Sequence, residues 1–357
     1  MDFFERISRK RNAAPIDEAA ELARLAAELA QPTNASSQPN SLATAIALRD
    51  VANLRANSKL FASYIAELTY NSKKAAEPAE PTRIDTKGRV CKQKDFSSSW
   101  FLYWAQRLKI APRLHRKLWE DAYVVQCLWE RGCLEPGKSG LGFAVGVEAL
   151  PSVFVSSGAR ITATDLAADD ERSHGWSVTH QHASTIEVLW KPDIVARDRF
   201  LENCSFEPVD MTSIPPKFDG QFDFCWSVCA FEHLGTLQKG LEFVRQATRA
   251  LKPGGVAVHT TEYNVGDGET IDNWPTVLYQ KRHFATLQAM VEDVGCRLVD
   301  IDFDVGREFF DCYVDLPPFP HQESGLPIPP APHVKLSVDG FPTTSIAIIV
   351  EKPVDPT

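Results

Sequence analysis

From residue 135 onward, short apolar runs alternate with stretches of helical period. Gly140–Asp165 (GLGFAVGVEALPSVFVSSGARITATD) sets the register, with a glycine-rich turn, a helix over 148–157, a Ser-Gly stop, and a β-branched strand over 160–164 ending on an acid. The alternation continues. Phe206–Asp210 predicts a third strand, Phe222–Ser227 a buried fourth, Phe243–Leu251 a helix and Val256–Thr260 the next strand. A helix at 283–296 and a strand at 297–302 follow, and Thr343–Glu351 closes the series. Strand and helix in this order predict a parallel sheet with helices on both faces. The last strand has no crossover helix before it, so it is expected to return antiparallel.

The first part of the chain is patterned differently. Residues 16–31 (IDEAAELARLAAELAQ) read as a strong helix, and Ser41 is placed to cap a second one through Leu68. The second helix has an apolar face that includes Leu42, Val51, Leu54 and Phe61. Two such helices form an antiparallel hairpin whose expected use is self-association into a homo-oligomer. Residues 71–95 are polar and rich in Lys and Pro, as a linker is. Trp100, Phe101, Tyr103 and Trp104 then cluster at the start of a further helical stretch. The expected division is a helical hairpin over 1–70, a linker over 71–96, a helical lid or substrate region over 97–134, and an α/β domain over 135–357.

Composition narrows this picture. A chain of 357 residues exceeds one average domain, as one large domain with an appendage would. No apolar run is long enough to cross a membrane, and MDFFERISRKRN has no signal-peptide core. Eight scattered cysteines form no C-x-x-C pair, which fits a reducing, cytoplasmic setting. The net charge of −9 disfavours nucleic acid as a partner. That charge is uneven. Residues 1–140 carry 22 basic against 16 acidic groups (net +6) and residues 141–357 carry 16 against 31 (net −15), so the α/β half suits a cationic cofactor.

Candidate chemistry gathers at the strand tips. Gly140, Gly142 and Gly146 crowd one stretch and are read as letting a ligand approach the backbone. Asp165 ends its strand, where an acid accepts ribose hydroxyls, so a nucleoside-type cofactor is expected. Asp210 ends the third strand on the same edge. Glu232-His233 follow the fourth strand, and Thr260-Thr-Glu262-Tyr263-Asn264 follow the fifth. His174, His180 and His182 fall within nine residues, and His180 and His182 would point the same way on a strand, but no third ligand at typical spacing joins that pair, and no metal site is assigned.

Together GLGFAVG, ATD, VDM, FDFCWSVCAFEHL and LKPGGVAVHTTEYN, in that order, resemble the class I S-adenosylmethionine-dependent methyltransferases over about 135–310 plus the last strand. A weaker likeness is to bacterial methyltransferases of polysaccharide biosynthesis. The resemblance implies a Rossmann-like, seven-stranded, mostly parallel sheet with a terminal antiparallel strand, here with an N-terminal helical extension. It implies S-adenosylmethionine as cofactor, with Gly142 and Gly146 (and Gly140 before them) along the methionine and ribose and Asp165 on the ribose hydroxyls. Asp210 and Met211 would meet the adenine, and Ser227 the methionine end. Glu148 is a candidate for a carboxylate that the glycine loop lacks.

The expected reaction is O-methylation of a sugar hydroxyl in a glycan or glycolipid. A hydroxyl needs a base, and His233 is the first candidate, oriented or replaced by Glu232, with Glu262 second and His182 third. Tyr103, Trp104, His182 and Tyr263 are the expected substrate contacts, with His115 beside them. Methylation of another small metabolite, on O or N, is the alternative. A nicotinamide-dependent dehydrogenase, whose ribose Asp165 would also serve, and a non-catalytic scaffold are the more distant ones.

Overall fold

The computed structural model describes residues 38–71, 78–173, 181–273, 275–319 and 330–354, with Val178 and a few positions before residue 38. The expected helix at 16–31 lies largely outside the described residues, as do His174, His180 and most of the proline-rich stretch after Leu316. The chain divides into two compact units, 1–61 with 321–329, and 62–320 with 330–357. The first unit contributes most of helix α1, Ser41–Ala66. Asn40, not Ser41, caps it, accepting the Ala43 N–H on Oδ1 at 3.2 Å. Leu42, Leu48, Val51, Leu54, Leu60 and Phe61 are exposed along α1.

The second unit is α/β. In chain order its elements are β1 (Gly88–Val90), α2 (Ser99–Arg107), α3 (Arg116–Glu130), β2 (Ser139–Gly142), α4 (Leu150–Ser156), β3 (Arg160–Asp165), α5 (Arg197–Asn203) and β4 (Cys204–Pro208). There follow β5 (Phe222–Val228), α6 (Leu237–Ala247), β6 (Leu251–Asn264), α7 (Lys281–Glu292), β7 (Arg297–Leu298), β8 (Ile301–Asp302), α8 (Phe309–Cys312), β9 (Val314–Asp315), β10 (Lys335–Val338) and β11 (Phe341–Glu351). The sheet runs β4-β3-β2-β5-β6-β11-β1-β8. The first five strands are mutually parallel, and β11 returns antiparallel along β6 from Thr343↔Asn264 to Glu351↔Val256.

Side chains alternate across this sheet, as strand geometry requires. Val256, Val258, Ala347 and Ile349 pack on one face with α3 and α4, whereas Ala257, Ile346, Ile348 and Val350 pack on the other with α6 and α7. Helix α3 is buried almost all round, through Trp119, Ala122, Tyr123, Val124, Cys127 and Leu128. It lies against β11, β6 and β5. The stretch 97–134 is thus partly core, and only its second helix reaches the cavity described below.

The sheet holds more than seven strands, eleven among the described residues. Residues 88–90, expected in a linker, form β1 and pair with Ile346 and Ala347 of β11. This strand takes the part of the β11 edge that a straight strand over 297–302 would fill. That expected strand therefore breaks: Arg297–Leu298 pair with the end of β11, and Ile301–Asp302 step outward to pair with β1. Gly88 permits the fit, since a Cβ there would stand 2.6 Å from Ile301 Cγ1.

Candidate functional site

Strand order reverses between β2 and β5, and ligands in open α/β sheets bind beyond the carboxyl ends of strands at such a switch point. A cavity of about 1610 Å³ opens there, all of it within the second unit. Its wall takes Ala144–Glu148 after β2, Asp165 and Leu166 after β3, Val209–Thr212 after β4, and Cys229, Ala230 and His233 after β5. Lys117 and Asp121 of α3 complete another side. Two non-glycine residues at these tips adopt left-handed φ, Ala144 at 47° and Cys229 at 45°. Such backbone conformations cluster at functional sites.

Asp165 is held rather than merely placed. Its Oδ2 accepts the N–H groups of Gly146 and Ala183, both at 3.1 Å, and its Oδ1 accepts that of Leu166 at 2.8 Å. Burial outweighs these bonds and raises its pKa above the usual carboxylate value. A carboxylate has about four acceptor positions. Three are used, so one remains on Oδ1 for a ribose hydroxyl. Asp210 is similar. Its Oδ1 takes the Thr212 N–H and hydroxyl, each at 2.7 Å, and its Oδ2 takes Arg172 at 2.8 Å. Partial burial pushes this group up, but the Thr212 and Arg172 bonds prevail and hold it below the usual range. Beside it Met211 is buried with Val209, an apolar surface for a flat base. The donor set fits S-adenosylmethionine: one open acceptor for ribose, one for an amino group, and a basin of carboxylates for a sulfonium.

That basin is larger than the sequence suggests. Glu148 reaches the cavity wall, and its Oε1 accepts the Trp226 indole N–H at 2.6 Å. Burial, then the neighbouring Asp121 carboxylate, raises Glu148 well above its ordinary value. Asp121 is pushed up to about 7 by burial and by Glu120.

His233 stands on the wall. Its Nδ1 lies 3.1 Å from the Pro275 carbonyl oxygen and 3.2 Å from the Thr276 hydroxyl oxygen. Nε2 is 3.9 Å from Oε1 of Glu232. Glu232 is fully buried, and burial raises its pKa although His233 and Lys117 oppose the shift. Glu262 also lies behind the wall, with Oε1 2.5 Å from Arg116 Nη2. Arg116 further reaches Ser345 and Glu120, while the Ser345 hydroxyl donates to Glu120.

Several expected contacts are placed elsewhere. Gly140 and Gly142 are strand residues of β2, not a ligand turn, and a Cβ on them would meet Phe224 at 2.3 Å and Trp226 at 2.4 Å. Their small size serves packing. Gly146 does lie on the wall, with φ 52°. Ser227 does not line the cavity; it is buried and bonds His259 Nδ1 at 2.8 Å. Tyr103 and Trp104 are buried against each other, and the Trp104 N–H goes to Gln126 at 2.5 Å. Tyr263 packs on Phe284 and Phe303. None of these three lines the cavity. His115 caps α3 and stacks on His333 at 4.8 Å. His182 lines the cavity, but its Nε2 is engaged by the Leu166 carbonyl at 2.9 Å.

Sequence reasoning missed Lys117, Asp121 and Cys229. The first two come from a helix remote in sequence, and no local pattern announces them. Cys229 carries a faint signal, its place one turn before Glu232 at a strand tip.

Residues 141–259 match the family model described as a methyltransferase domain. No curated protein matches the chain. Among solved structures, a Galdieria sulphuraria protein put forward as a sarcosine dimethylglycine methyltransferase is 19% identical, with a TM-score of 0.35 over 50% of this chain. This chain spans 60% of that protein's length. An Aquifex aeolicus methyltransferase dependent on S-adenosylmethionine is 15% identical over 64% of this chain and 88% of its own, TM-score 0.34. Phosphoethanolamine N-methyltransferase 2 of Haemonchus contortus, in complex with S-adenosylmethionine, is 16% identical over 49% of this chain and 37% of its own, TM-score 0.33. The sheet and its switch-point cavity are those of an open, mostly parallel nucleotide-binding α/β fold. Within that class, residues 141–259 carry the similarity to a methyltransferase domain.

Proposed function

We propose that the protein methylates a hydroxyl of a polar acceptor bound in the switch-point cavity, a sugar of a glycan or glycolipid being the expected class. The observation that carries this reading is the His233–Glu232 pair at the wall. S-adenosylmethionine, when bound, supplies a methyl group activated by its sulfonium, and in-line transfer then depends on positioning. Asp165 and Asp210 orient the nucleoside. His233 Nε2 takes the acceptor's proton, and the imidazolium so formed faces the buried Glu232 carboxylate. The volume supports two occupants, because a pocket for one small ligand measures about 300–1,000 Å³. Glu262 and His182 are weaker bases by position: Arg116 holds the first behind the wall, and the Leu166 carbonyl engages the second.

Calorimetric titration with S-adenosylmethionine, S-adenosylhomocysteine and NADH, beside Asp165→Ala, tests the cofactor half. Binding of the first two, lost in the variant, supports it; binding of NADH alone overturns it. Labelled methyl donor with a panel of sugars and amines then tests the acceptor, and label on amines only removes the hydroxyl reading. A further part of the proposal is self-association through α1, which the exposed Leu42, Val51, Leu54 and Phe61 support. Leu54→Lys with Phe61→Lys is expected to shift a dimer to a monomer by sedimentation. A wild-type monomer would remove that part.

A further inference from the structure

We propose that Cys229, Glu232 and Glu262 form a site for one divalent cation of the zinc class at the inner wall of the cavity. The three converge from two adjacent strand ends, Cys229 and Glu232 in the turn after β5 and Glu262 on β6. One ligand atom from each lies within 4.8 Å of the others, and Cys229 Sγ is 3.9 Å from Glu262 Oε1. All three side chains are buried.

Two oxygens here have no hydrogen-bond partner, Glu232 Oε1 and Glu262 Oε2. A buried carboxylate oxygen without a partner is costly. In each residue the other oxygen is already engaged, Glu232 Oε2 by the Thr261 hydroxyl at 3.0 Å and Glu262 Oε1 by Arg116. The open valences therefore belong to a ligand that brings charge. The surrounding balance gives its sign. Glu120, Glu232 and Glu262 face Arg116 and Lys117, whose ion pairs go to Glu120 and Glu262, and the His233 imidazole, whose Nε2 lies 3.9 Å from Glu232 Oε1. Glu232 has no Lys or Arg partner among the described ion pairs. A divalent ion with Cys229 as thiolate balances the three glutamates against Arg116 and Lys117.

Sulfur selects the class of ion. Zinc accepts thiolate with carboxylate, whereas magnesium and calcium take oxygen donors. Three protein ligands leave the fourth position of a tetrahedral ion open, the arrangement of catalytic zinc sites. Cys229 is the one of the three that lines the cavity, so the open position lies toward the acceptor. There an ion would lower the pKa of an acceptor hydroxyl before His233 takes its proton. That consequence rests on the proposed methyl transfer; the binding itself does not.

The test is titration of the chelator-stripped full chain with Co²⁺, followed by absorption. One Co²⁺ per chain, with a thiolate-to-cobalt charge-transfer band that Zn²⁺ abolishes, is expected. Cys229→Ser should lose the band, Glu232→Gln should weaken binding at least tenfold, and Cys312→Ser, at the exposed cysteine, should change neither. Absence of saturable binding to the wild type would overturn the site, as would a band that persists in Cys229→Ser. Titration of the same samples with S-adenosylhomocysteine keeps the two readings apart. A protein that binds it but no cobalt loses the ion and retains the cofactor site, and it also shows that the variants are folded.

Discussion

At the residue scale, the roles proposed for Asp165 and His233, which both line one cavity, are separable. His233→Asn should slow methyl transfer by about 10²–10⁴-fold, the usual contribution of a general base, while S-adenosylhomocysteine affinity stays within about twofold. Single-turnover transfer and calorimetry on the same sample check this. Asp165→Asn should do the reverse in binding, weakening S-adenosylhomocysteine more than about tenfold, because three backbone donors as well as the ribose lose a charged acceptor. The strand-tip acids and His233 were legible in the sequence because a residue just past an apolar strand has one place to go. Gly140, Gly142 and Ser227 were not: a glycine that admits a ligand and a glycine that admits Trp226 look the same in one dimension. Tyr103 and Trp104 show the same ambiguity for aromatics, which serve cores more often than sites.

At the element scale, the tight fits lie where strands cross close side chains. Gly142→Ala puts a methyl 2.4 Å from Trp226 Cζ2 and 2.5 Å from Val145 Cγ1. It should cost about 1–3 kcal/mol in urea unfolding, the range for overpacking. Gly88→Ala, against Ile301, should cost a similar amount and release β8 first, read as faster amide exchange at Ile301 and Asp302. Strand β1 escaped the sequence reading because three residues among lysines and prolines carry no period. The break between β7 and β8 follows from β1, so it was hidden for the same reason. The parallel strands β3, β5 and β6 were legible as β-branched or apolar runs between turn residues, whereas β2, Ser-Gly-Leu-Gly, reads as a turn because its glycines carry no strand pattern.

At the scale of the whole molecule, burial of imidazoles couples stability to pH. His259 falls to about 3 because it is buried, and His115 to about 3 through burial and then the facing His333. In the unfolded chain both titrate near about 6.5. Below that pH the unfolded state binds more protons, so this contribution is complete above about 6.5 and is lost as pH falls toward 3. Each group is worth up to about 1.4 kcal/mol per pH unit. Between pH 6.5 and 5 the imidazoles lower the urea midpoint while the raised Asp121 and Glu148 carboxylates oppose them, and His259→Gln should shift the slope of midpoint against pH by about one proton in the direction of greater stability at low pH.

Among the described residues, the antiparallel strand β11 (Phe341–Glu351) is the sole bridge between β6 and the β1–β8 pair. Synthesis therefore exposes a hazard that the finished protein does not have. Until those residues leave the ribosome, the fourteen-residue strand β6 is a naked edge, and β1, made some 250 residues earlier, has no sheet to join. A nascent chain halted near residue 335 should accordingly bind chaperones and aggregate, and release of the final strand should end both.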